Sequence, residues 1–209
     1  AYLTAQHGLL PCSVTDNADH KDRQSINKIH RQFPNATIIV TGCYAQLQPK
    51  QVINLDGVDF VIGQNEKFDI PRLVDTLEQS SSNKKLPPHD INRIQVGEIR
   101  NIEECHMVQS GDERTRCFLK IQDGCNYFCT YCTIPYARGK SRNSSIVDIV
   151  KAASDALSRG VKELILTGIN IGDFGQSTNE NFIDLLKALD DIPSGESQYR
   201  IRISSCEPN

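Results

Sequence analysis

Several absences bound this chain before any motif is read. No run approaches the roughly 18 consecutive apolar residues that a membrane helix requires, which excludes a helical span. The N-terminus has no basic stretch followed by an apolar core, so nothing there reads as a secretory leader. Charge of one sign is not in excess: 23 Lys and Arg against 26 Asp and Glu leave a net −3, which gives no global nucleic-acid signature. A second C-x2-C pair is also missing, and zinc modules usually rely on one. With 38% hydrophobic and 23% charged residues, the 209-residue chain is expected to be a soluble, cytoplasmic globular protein with no membrane partner. Eight cysteines in such a chain point to metal or redox chemistry rather than a disulfide framework.

Three of those cysteines are concentrated in one run, Asp123-Gly-Cys-Asn-Tyr-Phe-Cys-Thr-Tyr-Cys-Thr-Ile-Pro135. Cys125, Cys129 and Cys132 form a C-x3-C-x2-C triad, close enough in sequence to serve one metal centre. A [4Fe-4S] cluster normally takes four thiolates. Three leave one iron with an open position, the arrangement expected where that iron chelates S-adenosylmethionine (SAM) and an electron cleaves its sulfonium bond. Tyr131, just before the last cysteine, offers a ring that can lie against the SAM adenine. Zinc or a thioredoxin-like pair would use Cys129 and Cys132 alone and leave Cys125 unexplained.

Six basic residues (Arg114, Arg116, Lys120, Arg138, Lys140, Arg142) surround this run against one acid, Asp123. That local excess fits attraction of a polyanion or of the SAM carboxylate, and equally an ordinary solvated loop. Elsewhere the chain alternates strands and helices, which favours parallel sheets. The spacing predicts a helix over Asp16–Phe33, strands over Ala36–Thr41 and Val58–Ile62 around the turn Gly42–Gln46, and a helix over Phe68–Leu77. Residues 79–111 carry no periodicity and read as a linker. Beyond them come a strand over Arg116–Gln122, a helix over Ile146–Arg159 capped by Ser144 or Ser145 and stopped by Gly160, a strand over Lys162–Thr167, a helix over Phe182–Leu189 and a strand over Tyr199–Ser204. This β-α-β-α-β order is the start of a (β/α) barrel, with chemistry at the C-terminal strand ends. Three strands cannot close one, so a partial barrel is expected.

The cysteine run and its tail Ile134-Pro-Tyr-Ala-Arg-Gly-Lys-Ser-Arg142, taken with Pro11-Cys-Ser-Val-Thr15 and Thr41-Gly-Cys-Tyr-Ala-Gln46, resemble the radical-SAM methylthiotransferases over nearly the whole chain. Leu166-Thr-Gly-Ile-Asn-Ile-Gly-Asp-Phe-Gly175 resembles the branch acting on N6-threonylcarbamoyladenosine in tRNA. The resemblance implies an N-terminal α/β methylthiotransferase domain (residues 1–78), a linker (79–111) and the first part of a radical-SAM barrel (112–209). It implies replacement of the adenine C2 hydrogen, next to the anticodon, by a methylthio group. One SAM donates the methyl, and another yields the 5′-deoxyadenosyl radical. Cys125, Cys129 and Cys132 would hold the SAM cluster, and Cys12 and Cys43 two corners of an auxiliary [4Fe-4S] cluster. Gly168, Asn170, Tyr131 and Arg138 would contact SAM, and Arg138 and Arg142 could each meet SAM or tRNA phosphate. The partners implied are the tRNA anticodon stem-loop, SAM and a reductant such as flavodoxin or ferredoxin. The family's first cysteine is expected ahead of Cys12, and an RNA-binding domain beyond Asn209. Ribosomal-protein aspartate, isopentenyladenosine and a non-catalytic iron–sulfur or zinc module remain the alternatives. Cys105, Cys117 and Cys206 have no role in the resemblance, and Cys117 and Cys206 read as structural.

Overall fold

A computed structural model describes residues 16–80, 92–102, 105, 108–109, 115–193 and 198–204. It folds as two compact units, Ala1–Asn101 with Phe128–Arg138, and Ile102–Tyr127 with Gly139–Asn209. Among the described residues no helix is long and apolar enough to cross a membrane.

The first unit holds α1 (Asp16–Gln32), β1 (Ile39–Thr41), α2 (Cys43–Leu47), α3 (Pro49–Ile53), β2 (Phe60–Ile62), α4 (Ile70–Ser80), β3 (Ile94–Gln95) and, from later in the chain, α5 (Ile134–Arg138). Its three strands are parallel, in the order β1-β2-β3. Because strand side chains alternate between faces, neighbouring residues serve two cores. Val40 and Val61 pack with Ile26 of α1, Tyr44 and Ala45 of α2 and Val52 of α3. Ile39, Phe60 and Ile62 pack on the other face with Ile70, Leu73 and Leu77 of α4. A parallel sheet covered on both faces requires this continuous apolar run. Two details differ from the sequence reading. The strands are shorter than the apolar runs, and Ile94–Gln95, inside the segment read as linker, pairs with Val61 and Ile62. A two-residue strand is too short to show any period.

The second unit holds β4 (Val108–Gln109), β5 (Arg116–Lys120), β6 (Gln122–Asp123), β7 (Arg142–Asn143), α6 (Ile146–Ser158), β8 (Glu163–Thr167), α7 (Phe182–Asp190) and β9 (Arg200–Ile203). The sheet order is β4-β5-β8-β9, with β5, β8 and β9 mutually parallel and β4 antiparallel at the edge. The expected β-α-β-α-β order is thus present. Ile149, Ala153 and Ala156 recur at helical spacing on α6 and meet Cys117, Leu119, Leu164 and Leu166 of the sheet. Cys117 is a core residue, as its place on an alternating strand suggests. The Ser145 side chain accepts from the Asp148 amide and caps α6, and α6 ends just ahead of Gly160. Glu163, at the start of β8, pairs with Arg116 of β5 at 2.7 Å and Arg202 of β9 at 3.1 Å, bracing the three parallel strands at their N-terminal end. The opposite end carries β6, β7 and the turns described next.

Candidate functional site

Strand β5 leads directly into the two-stranded ribbon β6–β7, in which Gln122 faces Asn143 and Asp123 faces Arg142. The cysteine run leaves from this ribbon and returns to it. Gly124 makes the departure, with φ at +76°. A Cβ there would stand 1.9 Å from the Lys140 carbonyl oxygen, so only glycine fits both the conformation and the space. Cys125 is anchored by its amide, which donates to the Gly139 carbonyl at 3.0 Å. The Asn126 side chain accepts from the Ser141 amide at 3.0 Å.

Charge at this base is largely internal. The buried Asp123 carboxylate pairs with Lys120 at 2.7 Å and with Arg142 at 3.2 Å. Arg142 is itself buried. It is therefore neither a solvated loop charge nor a phosphate contact, because its guanidinium is committed to Asp123 and to the Lys140 carbonyl.

After β8 the chain turns through Gly168–Gly172. The Ile169 and Asn170 amides donate to Gln122 Oε1 at 2.8 and 3.0 Å. The Asn170 side chain is buried and accepts from the Gly172 amide, capping the short helical turn Ile171–Asp173. A Cβ on Gly168 would meet Gln122 Oε1 at 2.8 Å, so any side chain there would force Gln122 out of its place against the turn. Asp173, 2% exposed, accepts from the Tyr127 hydroxyl and from Gln176 Nε2, each at 2.9 Å and each on Oδ1. Its Oδ2 is buried without a hydrogen-bond partner. The hydrogen bond to Asp173 holds the Tyr127 phenol above its usual range, because ionisation would set a phenolate against a carboxylate.

Residues Phe128–Arg138 belong to the first unit. Cys129 is exposed and Cys132 half-buried, and the Cys132 amide donates to the Cys129 carbonyl at 2.9 Å. Tyr131 is 87% exposed, and Phe128 and Tyr136 meet edge to face at 5.6 Å between centroids. Arg138, at the end of α5, donates through Nε to Cys43 Sγ at 3.4 Å, and Gln64 Nε2 donates to the same sulfur at 3.6 Å. Cys43 is buried at the first position of α2, after Gly42. Cys12 and Cys206 lie outside the described residues. Cys43, Cys105, Cys117, Cys125, Cys129 and Cys132 are all free thiols; with Cys117 packed in the sheet core, the thiols of Cys43, Cys125, Cys129 and Cys132 are of a donor type that suits iron–sulfur ligation. Among the described residues no three His, Cys, Asp or Glu side chains come together as ligands of a single metal ion. Ligands of a cubane each take a different iron, and so stand farther apart than ligands of one ion.

Sequence reasoning found the cysteines and the Gly168–Gly172 turn but missed Gln122, Asp173 and the pairing of Arg138 with Cys43. Gln122 is a polar residue in a strand that the alternation pattern treats as unremarkable, and its burial depends on contacts 19 and 47 residues away.

Two family models match the chain in series. Residues 8–63 match Uncharacterized protein family UPF0004, and residues 119–209 match the Radical SAM superfamily. The chain is thus a radical SAM protein preceded by a UPF0004 segment. Among curated proteins it is 39% identical over 197 residues to the threonylcarbamoyladenosine tRNA methylthiotransferase MtaB of Bacillus subtilis, covering 94% of this chain and 42% of that protein. It is 36% identical over 200 residues to the Rickettsia prowazekii protein of the same name, covering 94% and 44%. It is 28% identical over 208 residues to the tRNA-2-methylthio-N(6)-dimethylallyladenosine synthase of Clostridium perfringens, covering 94% and 43%. The chain belongs to the radical-SAM methylthiotransferase family, and it spans less than half the length of these relatives.

Proposed function

We propose that this chain is the UPF0004 and radical-SAM portion of an enzyme that converts N6-threonylcarbamoyladenosine in tRNA to its 2-methylthio derivative. The observation that carries the reading is the placement of Cys125 at the exit of the β5–β6 segment. In the same unit lies the Gly168–Gly172 turn, at the C-terminal end of β8, where barrels of this type hold their chemistry. The names of the relatives supply the nucleoside.

In this reading Cys125, Cys129 and Cys132 hold one [4Fe-4S] cluster, and Cys12 and Cys43 belong to a second. When bound, the first cluster and SAM supply the electron and the carbon radical that open the adenine C2–H bond, and the second supplies the sulfur-transfer centre. The protein's own part is holding and shielding. Gly124 fixes the departure of the ligand run. Tyr131 leaves a ring open to stack on an adenine. Gly168 and Asn170 shape the turn toward the cofactor. Arg138 and Gln64 direct N–H groups at the Cys43 sulfur, a contact that tunes cluster sulfurs in general. The division into 1–78, 79–111 and 112–209 is part of the same proposal, with 79–111 supplying β3 to the first sheet rather than acting only as a linker, as are a cytoplasmic setting, the anticodon stem-loop as substrate and a flavodoxin or ferredoxin as electron donor.

Nucleoside mass analysis of tRNA from cells lacking the protein tests the reading. Loss of 2-methylthio-N6-threonylcarbamoyladenosine with the isopentenyl derivative intact supports it. Loss of the isopentenyl derivative instead moves the chain to the branch of the Clostridium relative. Unchanged tRNA with a ribosomal protein one methylthio group lighter overturns the tRNA assignment.

A further inference from the structure

The structure assigns Gln122 as the positioning residue that keeps the start of the cysteine run and the Gly168–Gly172 turn in one register. The inference rests on the radical-SAM reading of those two segments. Gln122 is 1% exposed, and a primary amide so placed must find partners for two N–H groups and two lone pairs. It does so in two directions. Nε2 faces the carbonyls of Asp123 (3.1 Å) and Gly124 (2.8 Å) and the hydroxyl of Ser141 (3.0 Å), which lie at the points where the run leaves and returns. Oε1 takes the amides of Ile169 and Asn170. One side chain therefore spends its donors on the ligand run and its acceptor on the turn.

Two further observations fit a built junction rather than an incidental contact. Gly168 has no Cβ where a Cβ would stand 2.8 Å from Gln122 Oε1 and 3.1 Å from Gln122 Cβ. The cross-strand neighbour of Gln122 is a second buried amide, Asn143. Asn143 Oδ1 accepts from the Gly175 amide and the Ser177 hydroxyl, each at 3.0 Å, and Nδ2 donates to Thr178 Oγ1 at 3.2 Å. The ribbon β6–β7 thus grips the segment after β8 at two places, and only the Gln122 grip also holds the cysteine run. A shift of the run by a fraction of an ångström is passed to the turn through a short, fully bonded amide that has no slack.

Gln122→Met keeps the length and removes both sets of bonds. Gln122→Glu keeps the acceptor for the turn and removes the donors to the run. After anaerobic reconstitution, both variants are expected to hold as much iron per chain as the parent and to bind SAM at least tenfold more weakly by calorimetry. Amide exchange should separate them. Ile169 and Asn170 should exchange at least tenfold faster in Gln122→Met and close to the parent rate in Gln122→Glu. A purely structural role would lower the melting temperature and leave SAM affinity of the folded protein within twofold of the parent, and that result would overturn the proposal. If Gln122→Met does not fold, Ser141→Ala decides: threefold weaker SAM binding supports the junction, and unchanged binding refutes it. A parent chain that holds iron but binds no SAM would refute the radical-SAM reading instead, and the junction would then stand or fall on the exchange rates alone.

Discussion

Cys43 and Cys129 are both free thiols, yet their surroundings are opposite. Cys43 is 6% exposed, sits at the first position of a helix and has two N–H groups directed at its sulfur, one from a guanidinium. Cys129 is exposed on a run whose backbone is tied by a local turn. The first sulfur is held in place by its neighbours, whereas the second is presented to whatever binds it. A sulfur that is part of the packing can be lost only at a cost in folding. A sulfur on an open run can be lost at almost none.

Substitutions should expose that contrast. The largest functional effect is expected for Cys129→Ala, which should abolish 5′-deoxyadenosine formation from SAM while moving the unfolding free energy by less than about 0.5 kcal/mol, as exposed changes usually do. Cleavage that survives this change would break the comparison at its open end. Gly124→Ala should be the largest effect on folding, roughly 3 kcal/mol or more by denaturant titration, because it combines a left-handed φ with a Cβ pressed on a carbonyl. Cys43→Ala should cost about 1–2 kcal/mol, since it leaves the Arg138 and Gln64 donors without their acceptor, and Cys43→Ser should recover part of that. Equal stabilities for Cys43→Ala and Cys129→Ala would erase the distinction. Ser145→Ala, remote from both sulfurs, should cost about 1 kcal/mol through loss of the α6 cap.

The smallest effect is a pH signature at Tyr127. Its phenol is raised by the hydrogen bond to Asp173, so the bond stabilises the fold below the ordinary phenol range and is lost as pH rises through the elevated value. Ultraviolet titration should therefore show late-ionising phenols at both Tyr127 and Tyr199, the latter raised by burial, and Asp173→Asn should bring only Tyr127 back toward the ordinary range. Tyr127→Phe should lower stability near neutral pH and match the parent at strongly alkaline pH.

What the sequence disclosed and what it withheld divide along physical lines. The helix over Ile146–Ser158 was legible because its cap, its apolar spacing and its glycine stop all lie within one short window. The alternating strand from Arg116 was legible for the same reason, although the run read as one strand to Gln122 breaks at Ile121 into β5 and β6 of separate sheets. The third strand of the first sheet was not, because Ile94 and Gln95 are assigned by pairing with Val61 and Ile62 and carry no pattern of their own. The basic cluster was only partly legible: charge counts are local, but Asp123 takes up Lys120 and Arg142 together, and Glu163 pairs with Arg116. Gln122 and Arg138 were hidden for a related reason. Their partners lie up to 48 and 95 residues away, and no short-range rule reports such a contact.

Phe128 is the one non-glycine residue with positive φ among those described, at +48°. A bulky residue in that region costs on the order of 1 kcal/mol, and its ring is half exposed against Tyr136. Heat-tolerance selection on this protein would therefore find Phe128→Gly or Phe128→Asn among its readiest gains, inside the very run that carries Cys125, Cys129 and Cys132. A screen that scores survival on heating alone would drift toward a sturdier chain with a slacker ligand run.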